Sequence, residues 1–381
     1  MDFYVTLSPG LEKISKKEIE EFRGKIREVR EGKGRIFFSG DLYLIPKINY
    51  FSRTIKRLNI LLHKEKIPNI SLEDVYDRVY NIDWTNYIKE FQSFAIRPLR
   101  IGEHNFTSID IGRVAGEALI KSYQKDKNVR LKVNLDYPDV IVRVEIVFDE
   151  LIIGIDTTGD TALDKRGYRV FNHPAHIDST IASSLIYLSD WKDDEILLDP
   201  MCGSGTIPIE GALIKRNIPP GKFREKKYGF IFVNMFGEDL LNEVKKEVVE
   251  NRNNYNIIGL DKNQKYLEGA KENAKSAGVL DTIKFVCGDA TKLQDLFDSV
   301  DVIIVNPPYG IRMGSKRMVK KLYNEFLMSA KNIMHGNSRL IVITAEDRLF
   351  KEAVIKSNLE IKEKFNVMFG GLMTKVFYLT L

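Results

Sequence analysis

The chain has 381 residues, of which 44% are apolar and 29% charged, with a net charge of +5. At ~150 residues per domain this is two or three folded domains, and neither a disordered, collagen-like nor disulfide-stapled protein fits the counts. The two cysteines, Cys202 and Cys287, provide no disulfide framework or four-cysteine zinc site and indicate a reducing, cytoplasmic setting; no run approaches the ~18–20 apolar residues of a membrane helix, and the start lacks a basic signal region.

In chain order, Phe3 to Leu7 reads as a strand, Leu11 to Arg23 as an amphipathic helix, and Arg35 to Ser39 as a second strand after a turn at Gly32 and Gly34. A helix from Tyr43 to about Lys56 and a strand from Leu58 to Leu62 complete a small α+β unit over residues 1–65. It carries no acid–base cluster and no glycine-rich loop, so no catalytic site is expected there. Residues 66–155 form a second α+β unit. Leu72 to Val79 and Ser108 to Tyr123 read as helices; Phe94 to Arg97, Arg130 to Leu135, Val140 to Ile146 and Glu150 to Ile155 read as strands. A polar connection follows over 156–175.

From residue 176 to 381 the rhythm becomes alternating helices and short, unbroken apolar strands, the pattern of a parallel sheet covered on both faces. The strands are Ile196–Asp199, Ile257–Leu260, Ile283–Cys287, Val302–Val305 and Leu340–Thr344. The last two, near Ile361–Met368 and Lys375–Thr380, are joined through Gly370-Gly371, so one of them runs antiparallel. Charge is uneven. Residues 1–150 carry 26 basic and 23 acidic side chains, 151–200 carry 4 and 9, and 301–350 carry 8 and 4. The first and last of these regions suit a polyanion, although ordinary surface scatter also accounts for the balance.

The strongest local signal is Asp199-Pro200-Met201-Cys202-Gly203-Ser204-Gly205-Thr206, at a strand end and opening a helix. Gly203 and Gly205 allow close approach of a cofactor to the backbone. Asp199 would repel a pyrophosphate but accept hydrogen bonds from an amino group or ribose hydroxyls, and no Gly-Lys-Ser/Thr follows to make a P-loop. Asp261 and Asp289 stand after the next two strands, suited to a ribose diol and an adenine amino group, with Ala290 beside the latter. The fourth strand ends in Asn306-Pro307-Pro308-Tyr309. The Asn306 amide oxygen and the Pro307 carbonyl are two close acceptors for an exocyclic NH₂, and Tyr309 offers a ring for a base to stack on.

Asp199 to Thr206, Asp261, Asp289 and Asn306 to Tyr309 resemble the motif set of amino-methyltransferases that use S-adenosylmethionine. Phe3 to Leu7 with Gly10-Leu11-Glu12, Lys165 to Arg169 with His173-Pro174-Ala175, and the inserted Pro219-Pro220-Gly221 to Tyr228-Gly229-Phe230 extend the likeness to the THUMP-containing RNA guanine-N2 methyltransferases. The resemblance covers nearly the whole chain and is nearest to the family acting on guanine 6 of tRNA. It implies an α/β Rossmann-like class I methyltransferase sheet over 176–381, with one antiparallel strand near the C-terminus. It further implies a ferredoxin-like domain (1–65), a THUMP RNA-binding domain (66–155) and a linker (156–175).

On this resemblance Asn306, Pro307 and Tyr309 are the catalytic residues. Asp199, Gly203, Ser204, Gly205, Thr206, Asp261, Asp289, Ala290 and Asn306 bind S-adenosylmethionine, and tRNA is the partner of a cytoplasmic, monomeric enzyme. Arg312, Lys316, Arg317, Lys320 and Lys321 follow the Asn306 motif at once and are expected to meet phosphates. Lys222, Arg224, Lys226 and Lys227 in the insertion divide evenly between that role and a solvated face. The 62 positions between Asp199 and Asp261, against ~20 in a dinucleotide-binding unit, accommodate the insertion. His173 and His176 lack further ligands and are expected to be structural, with no metal. The alternatives are N2 methylation of guanosine 10 of tRNA or of ribosomal RNA, a DNA adenine-N6 methyltransferase, and a non-enzymatic RNA-binding protein.

Overall fold

The structure is a computed structural model that describes residues 1–310 and 316–381. The N-terminal part contains strands β1 (Asp2–Thr6), β2 (Lys25–Arg30), β3 (Arg35–Ser39), β4 (Arg57–Lys66), β5 (Ser93–Ile101), β6 (Lys132–Val133), β7 (Val140–Val147) and β8 (Glu150–Asp156). Helices α1 (Glu12–Glu21), α2 (Leu44–Phe51), α3 (Leu72–Tyr80) and α4 (Ser108–Lys127) connect them. All eight strands lie in one sheet of order β2-β3-β1-β4-β8-β7-β5-β6. The two α+β units expected from the sequence are therefore continuous, joined where β4 pairs antiparallel with β8.

Three local differences from the sequence reading have physical causes. The strand β2 has the composition Lys-Ile-Arg-Glu-Val-Arg and is an edge strand, where charge blunts an open hydrogen-bonding edge and hides the apolar alternation. The segment 130–135 contributes only Lys132 and Val133 to the sheet. The helix expected to reach Lys56 stops at Phe51. Just beyond it the buried carboxylate of Glu18 gathers Ser52 Oγ (2.7 Å), Arg53 N (2.6 Å), Thr54 N (3.2 Å) and Thr54 Oγ1 (2.6 Å). Four donors on one buried carboxylate hold these residues in a turn rather than a helix.

The C-terminal part contains α5 (Ser179–Ser189), β9 (Leu197–Asp199), α6 (Thr206–Lys215), α7 (Glu238–Lys246), β10 (Ile257–Asp261), α8 (Gln264–Ser276), β11 (Ile283–Cys287) and β12 (Val302–Val305). It continues with α9 (Lys316–Ile333), β13 (Arg339–Thr344), α10 (Asp347–Ser357), β14 (Glu360–Phe369) and β15 (Leu372–Thr380). The sheet order is β11-β10-β9-β12-β13-β15-β14, and β15 is antiparallel to both of its neighbours. This is the expected doubly wound sheet with one reversed strand. Leu197, Leu198, Ile303, Ile304 and Ile341 are fully buried, as central parallel strands require.

The two sheets are tied together by buried contacts. Arg53 donates from Nη2 to the carbonyls of Leu213 (3.2 Å) and Ile218 (2.8 Å), and Arg166 reaches back to the Arg53 carbonyl (2.9 Å). Glu210, fully buried on α6, accepts from Tyr168 (2.9 Å) and Ser183 (2.7 Å). Met368 N donates to Pro9 O (2.9 Å), and a Cβ on Gly10 would lie 1.8 Å from the Asn366 oxygen, so only glycine fits this crossing. The connection 156–175 is packed rather than loose, with Thr157, Thr158, Arg166 and Tyr168 buried.

The insertion before β10 also lies on the N-terminal part. Arg224 donates to the carbonyls of Thr158 (2.7 Å) and Thr161 (2.8 Å) and stacks on Tyr228, while Gln92 donates to Phe232 O (2.6 Å). Lys222 pairs with Glu250 and Lys227 with Glu238. Arg224 thus fastens the insertion in place, and two of its basic neighbours are locally neutralised.

Candidate active site

Parallel pairing sets the site. Because β11, β10, β9 and β12 are adjacent and run the same way, Asp289, Asp261, Asp199 and Asn306 emerge side by side at their carboxyl ends. Clefts at this edge of an open α/β sheet are where ligands bind. Asp199, the last residue of β9, is 2% exposed, and its Oδ1 accepts from Met201 N (3.1 Å). Burial holds its carboxyl well above the usual carboxylate range, and the Asp261 charge adds to that. No basic side chain pairs with it among the described residues, so its carboxyl can accept a cationic ligand group.

Asp261 closes the glycine loop. Its Oδ2 accepts from Gly203 N (3.0 Å) and its Oδ1 from Asn263 N (2.9 Å). Each oxygen keeps a second lone pair, which suits two neighbouring hydroxyls. Gly203 (φ +53°) and Gly205 (φ +79°) adopt left-handed backbone, and a Cβ on Gly205 would lie 3.0 Å from the Ala270 Cβ. Ser204 is buried with its carbonyl held by Asn273 Nδ2 (3.0 Å), and Thr206 Oγ1 accepts from Arg169 (3.2 Å). Asp289 is exposed at the end of β11; Thr291 N (2.9 Å) and Oγ1 (2.8 Å) bond to its Oδ1, and the Thr291 backbone bond lowers its pKa. Ala290 is buried beside it.

Asn306 is partly exposed and held at both ends of its amide. Its Nδ2 donates to Ala175 O (3.3 Å), and its Oδ1 accepts a hydrogen bond from the Tyr309 hydroxyl. These two partners fix which way the amide faces and leave the second lone pair of Oδ1 for another donor. Tyr309 is pushed to a higher pKa by burial, with Tyr323 adding, so its hydroxyl keeps its proton. Tyr323 braces the loop from below, donating to Pro308 O (3.2 Å) and pairing with Thr344 Oγ1 (2.9 Å). Pro307 is buried, and among the described residues no hydrogen bond occupies its carbonyl.

The segment 173–176 also lines the site, a role not read from its sequence. The His173 ring packs edge-on to Tyr266 at 4.2 Å, and its Nδ1, which accepts from Ala175 N (3.1 Å), lies 3.4 Å from where a Gly203 Cβ would stand. Burial lowers the His173 pKa against the opposing pull of Asp261, which favours the neutral ring. His176 Nδ1 bonds to the His173 carbonyl at 2.8 Å. Among the described residues there is no group of three or more His, Cys, Asp or Glu side chains arranged to hold a metal.

The basic residues after the loop are less uniform. Arg312 lies outside the described residues. Lys316 and Arg317 are exposed at the start of α9; Lys320 pairs with Glu352 (2.6 Å), and Lys321 lies 3.7 Å from Glu325 one turn on.

The donors present fit S-adenosylmethionine. A buried carboxylate without a basic partner suits its cationic amino acid end, a carboxylate with two free lone pairs suits its ribose, and the glycine loop admits close backbone approach.

Three family models match the chain. The RMKL-like methyltransferase domain covers residues 166–375, the THUMP domain 69–156 and the RlmL ferredoxin-like domain 2–58. The chain is 80% identical, over all of both sequences, to the tRNA (guanine(6)-N2)-methyltransferase of Methanocaldococcus jannaschii. It is 48% identical to the protein of the same name from Archaeoglobus fulgidus, across 98% of this chain and 91% of that one. Among solved structures, a chain from Clostridium difficile 630 described as a possible methylase superposes with a TM-score of 0.88 at 30% identity, covering 100% of this chain and 97% of that one. The protein SMU.472, solved in complex with SAH, superposes with a TM-score of 0.85 at 26% identity, covering 99% and 97%.

Proposed function

The chain belongs to the RMKL-like methyltransferase family, and on that premise we propose that it transfers a methyl group from S-adenosylmethionine to the exocyclic N2 of guanosine 6 in tRNA. The observation that carries the chemistry is the row Asp289, Asp261, Asp199 and Asn306 along one sheet edge, with the Asn306 amide clamped by Ala175 and Tyr309. The choice of guanosine 6 rests on the names of the two similar archaeal proteins.

S-adenosylmethionine, when bound, supplies an electrophilic methyl group on a sulfonium. Asp199 holds its cationic amino acid end, Gly203, Ser204, Gly205 and Thr206 form the loop beneath it, Asp261 takes the ribose diol, and Asp289 with Ala290 takes the adenine. Asn306 Oδ1 and the Pro307 carbonyl accept the two N–H bonds of the guanine amino group. Those bonds aim the nitrogen lone pair, which is otherwise delocalised into the ring, along the line of transfer. Tyr309 stacks on the base, which has left its helix to enter. Neither Asn306 nor a backbone carbonyl takes up a proton at neutral pH, so the methylated nitrogen sheds its proton to solvent. Catalysis by positioning of this kind draws on proximity and fixed dipoles rather than a strong base.

Residues 1–65 and 66–155 serve as the ferredoxin-like and THUMP parts of an RNA grip, 156–175 as their link, and 176–381 as the methyltransferase domain. Lys316, Arg317, Lys320 and Lys321 approach RNA phosphates. The enzyme acts as a monomer in the cytoplasm.

Methyl transfer from labelled S-adenosylmethionine into unmodified tRNA and into DNA tests the reading. Incorporation into tRNA alone is expected; incorporation into DNA adenine would overturn it.

A further inference from the structure

The carboxyl edge of the catalytic sheet continues past Asn306 to a second group of charges. Thr344, the last residue of β13, pairs with Lys375 of β15, and Lys375 pairs with Asn366 of β14, two residues from Lys364. The helix α10 opens at Asp347, immediately beyond β13. One carboxylate oxygen, Asp347 Oδ2, accepts from both Lys351 Nζ (3.0 Å) and Lys375 Nζ (2.8 Å). Lys364 is exposed and shares a face of β14 with Asn366, the partner of Lys375; Lys351 lowers its pKa, while the Lys351 pKa is raised, chiefly by Asp347. One turn along α10, Glu352 is shared by Lys320 (2.6 Å) and by Arg348 (3.4 Å), whose side chain is 91% exposed.

Five cations therefore surround Asp347 and Glu352. Counting Glu346, the next acid, which faces Tyr323 under the Asn306 loop, five against three leaves two positive charges in excess. Like charges gathered on one carboxylate repel unless an anion joins them. The strands β15 and β14 are two and three strands from β12, so at ~4.8 Å per strand Lys375 and Lys364 stand ~10 and ~14 Å along the edge from the Asn306 loop.

We propose that Lys351 and Lys375, gathered on Asp347, together with Lys364 beside them, hold the phosphodiester backbone of the RNA beside the nucleotide that enters the Asn306 site. This rests on the RNA methyltransferase reading and adds an RNA contact to it. The cluster acts on the backbone, so it contributes grip and register but no base selection.

The test uses the full-length Lys351→Gln/Lys364→Gln variant and a Lys362→Gln control, in which the changed lysine is paired with Glu360 (2.6 Å) on the same strand. Equilibrium binding to a tRNA transcript is measured across salt concentrations, with calorimetry against S-adenosylmethionine and a thermal melt in parallel. The double variant is expected to bind tRNA several-fold more weakly, with the slope of log K against log salt smaller by ~2, and unchanged cofactor affinity. The control should behave as wild type. Wild-type tRNA affinity and slope in the double variant overturn the proposal, as does an equal loss in the control. If the double variant melts early, Lys364→Gln alone decides, with a slope smaller by ~1. If the wild-type protein binds tRNA but transfers no methyl group, the methyltransferase reading fails while the slope still reports on the cluster.

Discussion

Replacing Asp261 with Asn isolates what its charge contributes to cofactor binding. In the folded chain its two oxygens each accept one backbone N–H, from Gly203 at 3.0 Å and from Asn263 at 2.9 Å. The amide keeps the shape but turns one acceptor into a donor, which must face one of those N–H groups. The glycine loop loses a tie, and the remaining acceptor is neutral when it meets the ribose. A hydrogen bond to a charged group is worth ~1.5–3 kcal/mol, so the loss of one such bond should weaken cofactor binding ~10- to 150-fold. Titration calorimetry with S-adenosylmethionine reads this directly, and tRNA affinity should stay at the wild-type value. A folded Asp261→Asn protein whose cofactor Kd lies within ~3-fold of wild type would refute the reasoning, because no bond of the stated strength is then being made.

The raised pKa of Asp199 predicts opposite effects on stability and binding. A buried acid whose folded pKa lies above its unfolded value of ~3.9 contributes stability at low pH and loses it as pH rises, so Asp199→Asn should raise the Tm of the ligand-free protein at pH 7–8 by ~2 °C or more, with the gap closing toward pH 4. The same variant should bind S-adenosylmethionine more weakly; a lower Tm at pH 8 would contradict the assignment. Tyr309→Phe keeps the ring and removes the hydroxyl from Asn306 Oδ1, so single-turnover methyl transfer should slow by ~2- to 10-fold with little change in KM for RNA; an unchanged rate would leave the ring alone as the contribution of Tyr309. Gly10→Ala places a side chain at φ +102° and against the Asn366 carbonyl, and should cost at least ~1–3 kcal/mol in chemical denaturation; wild-type stability would mean the β14–β15 hairpin does not dock there.

The catalytic sheet was readable because its central strands β9, β10, β12 and β13 are short, apolar and buried, and because Asp199, Asp261, Asp289 and Asn306 stand at or just after strand ends. Local pattern carries that much. Strand partners across long distances are another matter: nothing in Arg57–Lys66 or Glu150–Asp156 announces that they pair and fuse two α+β units into one sheet. The strand Lys25–Arg30 escaped notice because an edge is charged for reasons unrelated to burial. In the site, Tyr309 was read for its ring, while its hydroxyl turns out to hold the Asn306 amide; Ala175, which holds the other end, contributes only a backbone carbonyl and leaves no signal in its side chain. Arg224 looked like a phosphate ligand of even odds and proved to bind carbonyls of Thr158 and Thr161, which no charge count distinguishes. Lys351, Lys364 and Lys375 are scattered over a helix and two strands and lie outside the basic window 301–350, so no local charge count gathers them.

The central claim is that this chain methylates the N2 of guanosine 6 in tRNA. Its most direct test is a pair of otherwise identical tRNA transcripts, one with guanosine at position 6 and one with adenosine, incubated with the enzyme and labelled S-adenosylmethionine, then digested and mapped. The account predicts N2-methylguanosine at position 6 of the first transcript and no label in the second. Label at another position, label retained in the adenosine transcript, or a methyl group on adenine N6 would contradict it.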